Sequence, residues 1–477
     1  MQKKLLYFFI TLLSIKAHCQ YCVKEVTVGP YTVSVFTNDN KRISFGINNF
    51  GQIGDNTNNN YLFLSPHIEN NTDWEMIRYS GTHTLAIKKD GTLWSWGQND
   101  TGRLGNGTLT DNYTPTQIGT DNDWVMIALG NWHSLALKSN GTLWGWGNTI
   151  TGSLGEFHLN LPSNQTTPIK LNNDTDWKYI SASSYVTFAI KNNGTLYGTG
   201  SVGIGLPNNI NNKSIRLPQG TQIDPNGFYK LSNDTDWKKI ISNEANFFYV
   251  LQKNDNTLWG VSYNGYNTGG LGTGSNVNGM DYFTDYIQLG TETWKDISVT
   301  GNNFLGIQTD GSLWYSGAGI FGAPYTYMNT NIRTKIGTNN NWKSVSGSIG
   351  VGVSRGFWLT KNDNSLSYFG NNTNLPSQIS PATTPKEVYY CGKASTNEYI
   401  KEISINLYPN PTTDKLFWSE KDIIIKKITI YDINGKKIVE QNVSENSINV
   451  SHLANGSYIV KLESNTEINY HSKFIKK

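Results

Sequence analysis

The sequence predicts an all-β protein: seven repeated units closing as a seven-bladed β-propeller, followed by a separate small β module. Three observations carry this. Trp74, Trp124, Trp177, Trp237, Trp294 and Trp342 recur at spacings of 50, 53, 60, 57 and 48 residues, a period that signals stacked units. A hairpin motif centred on glycine, or on asparagine in two drifted copies, follows each of them, and the last part of the chain abandons the period. Composition agrees, because 47 glycines with 12% aromatic and only 16% charged residues favour strands and tight turns over long helices.

At the N-terminus, Lys3 and Lys4 precede an apolar run over 5–15 and the small or polar residues Ala17, His18 and Cys19. That order describes a secretory signal peptide over 1–19. The run of eleven residues is shorter than the roughly 20 that span a bilayer as a helix, so no integral membrane segment is expected in the mature chain. Cleavage before Gln20 leaves Cys22 and Cys391 for an oxidising compartment, where they are natural partners for one disulfide. A lipidated Cys19 is the alternative, although Lys16-Ala17-His18 makes a poor lipobox. The net charge of +3, from 39 basic and 36 acidic residues without a long basic run, gives nucleic-acid binding no electrostatic support.

The units run over about 26–70, 71–120, 121–173, 174–233, 234–290, 291–338 and 339–390 within a propeller spanning 20–391. Seven such units close a ring. Gly91-Thr92-Leu93-Trp94, Gly141-Thr142-Leu143-Trp144 and Gly194-Thr195-Leu196-Tyr197 each begin seventeen residues after their unit's tryptophan, as does Gly311-Ser312-Leu313-Trp314. Asn256-Thr257-Leu258-Trp259 and Asn364-Ser365-Leu366 are drifted copies, and a further copy at 40–46 lacks its opening tryptophan. Residues 83–87 alternate in size as a half-buried strand does. Lys89-Asp90-Gly91 supplies a hairpin turn and Leu93-Trp94-Ser95-Trp96-Gly97 the return strand. A third landmark follows as Gly51-Gln52-Ile53-Gly54, Gly102-Arg103-Leu104-Gly105 and Gly152-Ser153-Leu154-Gly155, glycines suited to turns or to close backbone approach.

The succession Asp-Trp, Gly-Thr-Leu-Trp-x-Trp-Gly and Gly-x-Leu-Gly resembles the repeat of the regulator of chromosome condensation (RCC1) family, a four-stranded propeller blade. The likeness covers about 365 residues, sharpest in the second and third units; Ser262 stands where that motif has glycine, and Gly370 is followed by no Gly-x-Leu-Gly. A ring exposes two sheet edges unless clasped. Cys22, just before the first unit, and Cys391, just after the last, are placed to clasp it.

Residues 392–402 read as a polar linker and 403–477 as a second module. Its Tyr408-Pro409-Asn410-Pro411 start, the turn at 432–436, Leu453-Ala454-Asn455-Gly456-Ser457-Tyr458 and the basic end at Lys473, Lys476 and Lys477 resemble the type A sorting domain of the Bacteroidetes type IX secretion system. The resemblance implies a small immunoglobulin-like sandwich and the outer-membrane export machinery as a partner. It also implies the medium or the outer cell surface as destination.

Chemistry is sparse. His83 and His133 occupy equivalent positions, but the same register holds Thr32, Val186 and Asn303, and no cluster has ligand spacing, so they read as structural histidines bonded within their blades. Asp73, Asp123, Asp176 and Asp236 read as turn residues. The glycines from Gly97 to Gly105 lack the Lys-Ser or Lys-Thr of a phosphate loop. No triad or paired-carboxylate motif stands out, so no metal, no cofactor and no catalytic role is expected.

Trp132, Tyr185 and Phe247 precede each unit's inner strand, on loops that a propeller gathers on one face, and are the candidate anchors for a partner. Longer segments at 156–171, 206–227 and 263–286 map to loops as well. The expected function is a secreted or cell-surface module that binds an extracellular protein or glycan. A glycan lyase or hydrolase on the propeller scaffold is one alternative. An inhibitor of an extracellular enzyme is another, since the RCC1 family also includes a secreted bacterial β-lactamase inhibitor.

Overall fold

Each repeat completes its own antiparallel sheet before the next begins, because its four strands pair in chain order and none of the described strands is lent to another repeat. The computed structural model describes residues 22–477 save for 62, 64–65, 71, 151, 156–160, 201–227, 243–247, 263–271, 273–285, 301–302, 319–328, 349–353, 373–381, 390–402, 405–406, 419–424, 433–436, 444 and 465–468. Seven four-stranded sheets, the blades, span 23–69, 74–117, 124–170, 177–230, 237–288, 294–335 and 342–389. The signal-peptide reading over 1–19 and the linker at 392–402 lie outside the described residues.

The hairpin between the second and third strands shows how the motif is written into the chain. Gly91 turns with φ at +82°. Asp90 accepts hydrogen bonds from the Thr92 amide at 3.0 Å and hydroxyl at 2.6 Å, and Thr92 Oγ1 accepts from the Trp94 indole at 2.8 Å. The drifted repeats place Asn40, Asn256 and Asn364 at the same corner with φ of 60°, 66° and 64°, and asparagine is the side chain that best tolerates this left-handed region.

The strand opened by tryptophan is the innermost of each blade and lines the axis, which corrects the sequence expectation that the following strand is the inner one. The second strand is also not half-buried: His83–Lys88 is buried along nearly its whole length. Neighbouring blades cover both of its faces. Leu85 and Ile87 pack with Trp124, Ile127 and Trp146 of blade 3, whereas Ala86 packs with Phe36, Trp74 and Trp96 towards blade 1.

The first four blades meet one another through one recurring arrangement. In the Gly-x-Leu-Gly segments, the carbonyl of the variable residue points into the next blade. Gln52 O accepts from Thr84 Oγ1 and Trp96 Nε1, both at 2.8 Å. Arg103 O accepts from Ser134 Oγ and Trp146 Nε1 at the same distance, and Ser153 O from Thr187 Oγ1 at 2.7 Å. The closing glycine makes room for the indole: a Cβ on Gly105, whose φ is +70°, would sit 2.6 Å from Trp146 Nε1.

The ring closes without strand exchange. Val23, Val26, Val35 and Phe45 of blade 1 share one buried cluster with Trp358, Leu366 and Tyr368 of blade 7. The Val23 amide donates to Asn364 O at 3.1 Å, and Ser346 Oγ donates to Val26 O at 3.2 Å. Val23 stands opposite Thr37 as Trp74 stands opposite Lys88, so it fills the place of the missing tryptophan. Cys22 is disulfide-bonded, while Cys19 and Cys391 both lie outside the described residues.

The C-terminal unit has a sheet ordered Ile403–Ser404, Asn469–Lys476, Gly456–Ser464, Ile425–Asp432 and Lys437–Asn442. A second sheet is formed by Leu407–Tyr408, Lys415–Trp418 and Ser447–Asn449. Leu416, Trp418, Ile428, Ile430, Val460, Leu462 and Phe474 belong to one core cluster, as the period-two patterning of a small sandwich requires.

The Gly105 contact makes a graded prediction. Gly105→Ala combines a left-handed backbone with an overpacked indole and should destabilise the propeller by roughly 2–4 kcal/mol. Gly119→Ala, with φ of +62° but open space around it, should lose only about 1 kcal/mol. Equal shifts of the two denaturation midpoints would rule out the indole contact.

Candidate functional site on the loop face

The turn between the first and second strands and the connection between the third and fourth leave each blade at the same end. His133, the first residue of its strand, pairs with Gly147 near the end of the third strand. Trp132 occupies this turn in blade 3 and Tyr185 in blade 4. Their rings meet with centroids 4.9 Å apart at 58°, and Trp132 remains 38% exposed. The structure thus brings together two of the three expected anchors; Phe247 lies outside the described residues.

The backbone beneath the pair is pinned from several sides. Trp132 O accepts the Asn148 amide at 2.8 Å. Asn131 Nδ2 donates to Ser184 Oγ at 2.9 Å, and the Asn131 amide to Ser184 O at 3.3 Å. From blade 2, buried Arg103 donates to Asn131 O at 3.0 Å and to Thr82 Oγ1 at 2.8 Å while pairing with Asp100. An exposed tryptophan on such a support has little rotational or loop entropy left to lose on binding. Ile150, 73% exposed, follows Asn148 on the adjoining connection.

Tyr31 extends this rim and was not singled out by sequence. It precedes Thr32 as Trp132 precedes His133, and its ring lies over Gly81, 3.4 Å from where a Cβ would stand. The register of Thr32 with His83 and His133 contained the signal.

The axis itself holds a cavity of about 330 Å³ lined by the innermost strands. Its polar side chains bridge blades: Lys239 pairs with Asp296 at 3.3 Å, Arg78 with Glu25 at 3.5 Å, and Ser181 with Ser242 at 3.0 Å. Asp296 Oδ2 and Ser298 Oγ accept the Val345 and Gly347 amides, both at 2.9 Å, on the exposed edge of the next innermost strand.

The histidines span blades instead of bonding only within them. His83 links Ser80 Oγ, 2.6 Å from Nδ1, to Ser134 Oγ of blade 3, 2.9 Å from Nε2, and His133 Nε2 lies 3.1 Å from Thr187 Oγ1 of blade 4. Burial pushes His133 down to about 3. Burial, with the Arg103 charge adding to it, holds His83 well below the usual imidazole range.

The aspartates next to the opening tryptophans are structural for a different reason from turn chemistry. Lys138, at the far end of the strand that His133 begins, pairs with Asp121 at 2.7 Å and Asp123 at 2.9 Å and lies over Trp124 and Trp144 at 4.7 and 5.1 Å. Lys88, Lys191 and Lys253 repeat the arrangement with Asp73, Asp176 and Asp236. Burial opposes the charges on Lys138, Lys191 and Lys253, but the paired carboxylates outweigh it and hold all three above the ordinary lysine value. In blade 6, Gln308 takes the lysine's register and Arg333 covers Trp294 at 5.4 Å instead. The signal was a lysine recurring fourteen residues after Trp74, Trp124 and Trp177.

Residues 406–477 match the family model of the secretion system C-terminal sorting domain, and residues 90–137 that of the RCC1 repeat. The fold resembles yeast RCC1 (Prp20) bound to Kap60, with a TM-score of 0.55 and 16% identity over 69% of this chain and 78% of that one. It also resembles Prp20p of Saccharomyces cerevisiae, with a TM-score of 0.52 and 19% identity over 68% and 80% of the two chains. At such identities the likeness is one of fold. Among curated proteins, the ulvan lyase NLR42 of Nonlabens ulvanivorans is 33% identical over 75 residues, and the chain spans only 14% of that protein's length. No helix among the described residues is long and apolar enough to cross a membrane.

The buried histidines fix a pH dependence. A folded-state pKa below the unfolded 6.5 means that their contribution is complete above pH 6.5 and is lost as pH falls from there towards 3. The His133 imidazole should then withdraw about 2 kcal/mol by pH 5, and His83 acts in the same direction. His133→Asn should flatten the stability slope between pH 6.5 and 5 by about one proton, and an unchanged slope would refute the neutral, buried assignment.

Proposed function

We propose that this chain, an RCC1-repeat propeller that ends in a type IX sorting domain and is secreted to the outer surface or the medium, is a binding module that engages an extracellular glycan or protein through its loop face. The observation that carries the reading is exposed Trp132, packed against half-buried Tyr185 on a pinned backbone. Aromatic side chains on rigid supports are what binding surfaces use as anchors. Asn131, Ser184 and Asn148 around the pair present neutral amides and hydroxyls suited to holding a ligand, and buried Arg103 beneath them is already paired with Asp100. The module acts by binding and not by catalysis; of the longer segments, 156–171 contains the fourth strand of blade 3, Asn164–Lys170, and is not a loop throughout, while 206–227 and most of 263–286 lie outside the described residues.

The reading includes a covalent clasp between Cys22 and Cys391, with residues 1–19 removed as a signal peptide. Its support is the neighbourhood of the ring's seam. The Val23 amide, next to Cys22 in the chain, bonds Asn364 O at 3.1 Å, and Tyr389, two residues before Cys391 in the sequence, stands opposite Leu366 of the same blade.

Two measurements follow. Secreted protein should bind members of a panel of cell-surface polysaccharides and secreted proteins, and Trp132→Ala should weaken that binding at least tenfold; undiminished binding would remove the pair as anchor. Peptide mapping without reduction should yield a mature N-terminus at Gln20 and a Cys22–Cys391 crosslink. Cys22→Ser should then lower stability by roughly 2–5 kcal/mol. Free thiols, or Cys19 bonded to Cys22, would overturn the clasp.

A further inference from the structure

The sorting unit keeps a compact core and still leaves Tyr408, Phe417, Ile438 and Ile475 in water at 49%, 36%, 41% and 46% exposure. Tyr408 and Phe417 stand opposite each other across Leu407–Tyr408 and Lys415–Trp418. Their rings stack with centroids 5.9 Å apart at 20°. The alternation of the sheet places Leu407, Leu416, Trp418 and Ile448 inside, so both rings belong to the outward face and add nothing to the core.

That face is held stiffly. The loop after Tyr408 is tied to the C-terminal strand by the Ile475 amide donating to Asn410 Oδ1 at 3.0 Å and by the Thr412 amide donating to Ile475 O at 2.9 Å. Thr412 Oγ1 donates to Lys415 O at 2.7 Å and so joins the same loop to the strand that carries Phe417. Exposed Ile475 thereby flanks the loop that leads from one aromatic ring to the strand of the other. A stacked aromatic pair held in water on a rigid frame pays for itself by being recognised.

We propose that the Tyr408–Phe417 face is the recognition surface of the sorting domain, and that its occupant is a component of the export machinery presenting an apolar groove. The partner follows from the match of residues 406–477 to a sorting domain, a module whose task is to be bound during export. Exposed Lys415, two residues from Phe417 on the same face, calls for a carboxylate at the edge of that groove. The inference is independent of what the propeller binds.

The test uses the full chain expressed in a host with type IX secretion, scoring cell-surface and medium fractions against periplasm. Tyr408→Ser and Phe417→Ser should each lower the exported fraction at least fivefold and leave full-length protein in the periplasm. Phe417→Tyr should restore export. Ile438→Ser, equally exposed but on the edge strand Lys437–Asn442, should be exported as wild type. Limited proteolysis of the retained variants should give the wild-type pattern. Normal export of the Tyr408→Ser, Phe417→Ser double variant would overturn the proposal. So would equal retention of Ile438→Ser, or retention accompanied by a protease-sensitive tail, which would make the pair structural.

Discussion

The joints of the first four blades depend on a carbonyl that one blade lends to the next. In Gly51–Gly54, Gly102–Gly105 and Gly152–Gly155 the backbone turns so that the variable residue's C=O leaves its own blade and accepts from a hydroxyl of the next blade; the first two accept its indole N–H as well. The contact is buried, so an unmade bond would leave a polar group without water or partner. The glycine that closes the motif is set by the same contact, since the tryptophan plane occupies the space of its side chain. One segment therefore specifies its own turn, the orientation of the neighbouring sheet and the depth at which the neighbouring tryptophan is seated.

This dependence explains why the matched RCC1 repeat is out of phase with the structural blade. The matched RCC1 repeat at 90–137 takes the last two strands of blade 2 and the first two of blade 3. It thus contains both Arg103 O and the Ser134 hydroxyl that meets it. The matched stretch spans a joint, whereas each tryptophan-opened unit spans one sheet.

The architecture was legible because its determinants are local. A tryptophan, an Asp-Gly or Asn corner and a Gly-x-Leu-Gly segment each act within a few residues, so their spacing survives drift. The burial of His83–Lys88 was not legible, because what covers its second face is a blade some fifty residues away. The pairing of Asp73, Asp123, Asp176 and Asp236 with lysines escaped for a related reason. Those lysines recur at fixed spacing, but only the antiparallel register of Trp74 with Lys88 or Trp124 with Lys138 shows that the two positions face each other. At the candidate site, Trp132 and Tyr185 were visible as aromatic residues at equivalent turns, whereas their contact depends on the angle between blades. Tyr31 was hidden because its unit has Val23 in place of the tryptophan that marks the others.

The two ends of a blade differ in how far their side chains are committed to packing. At one end, Lys138 and its counterparts satisfy carboxylates and cover indole faces, so charge, aromatic surface and hairpin are all committed to holding neighbouring strands. A substitution there disturbs several contacts at once. At the other end, the lock is made mainly by backbone carbonyls and small hydroxyls, and the side chains of the turn residues are not needed for it. Position 132 and its equivalents can therefore hold Tyr31, Thr82, Trp132 or Tyr185 without disturbing the ring. A scaffold whose joint is written in backbone leaves its loop face open to change, and this is why function on such a fold must be argued from the side chains of that face and not from the repeat that built it.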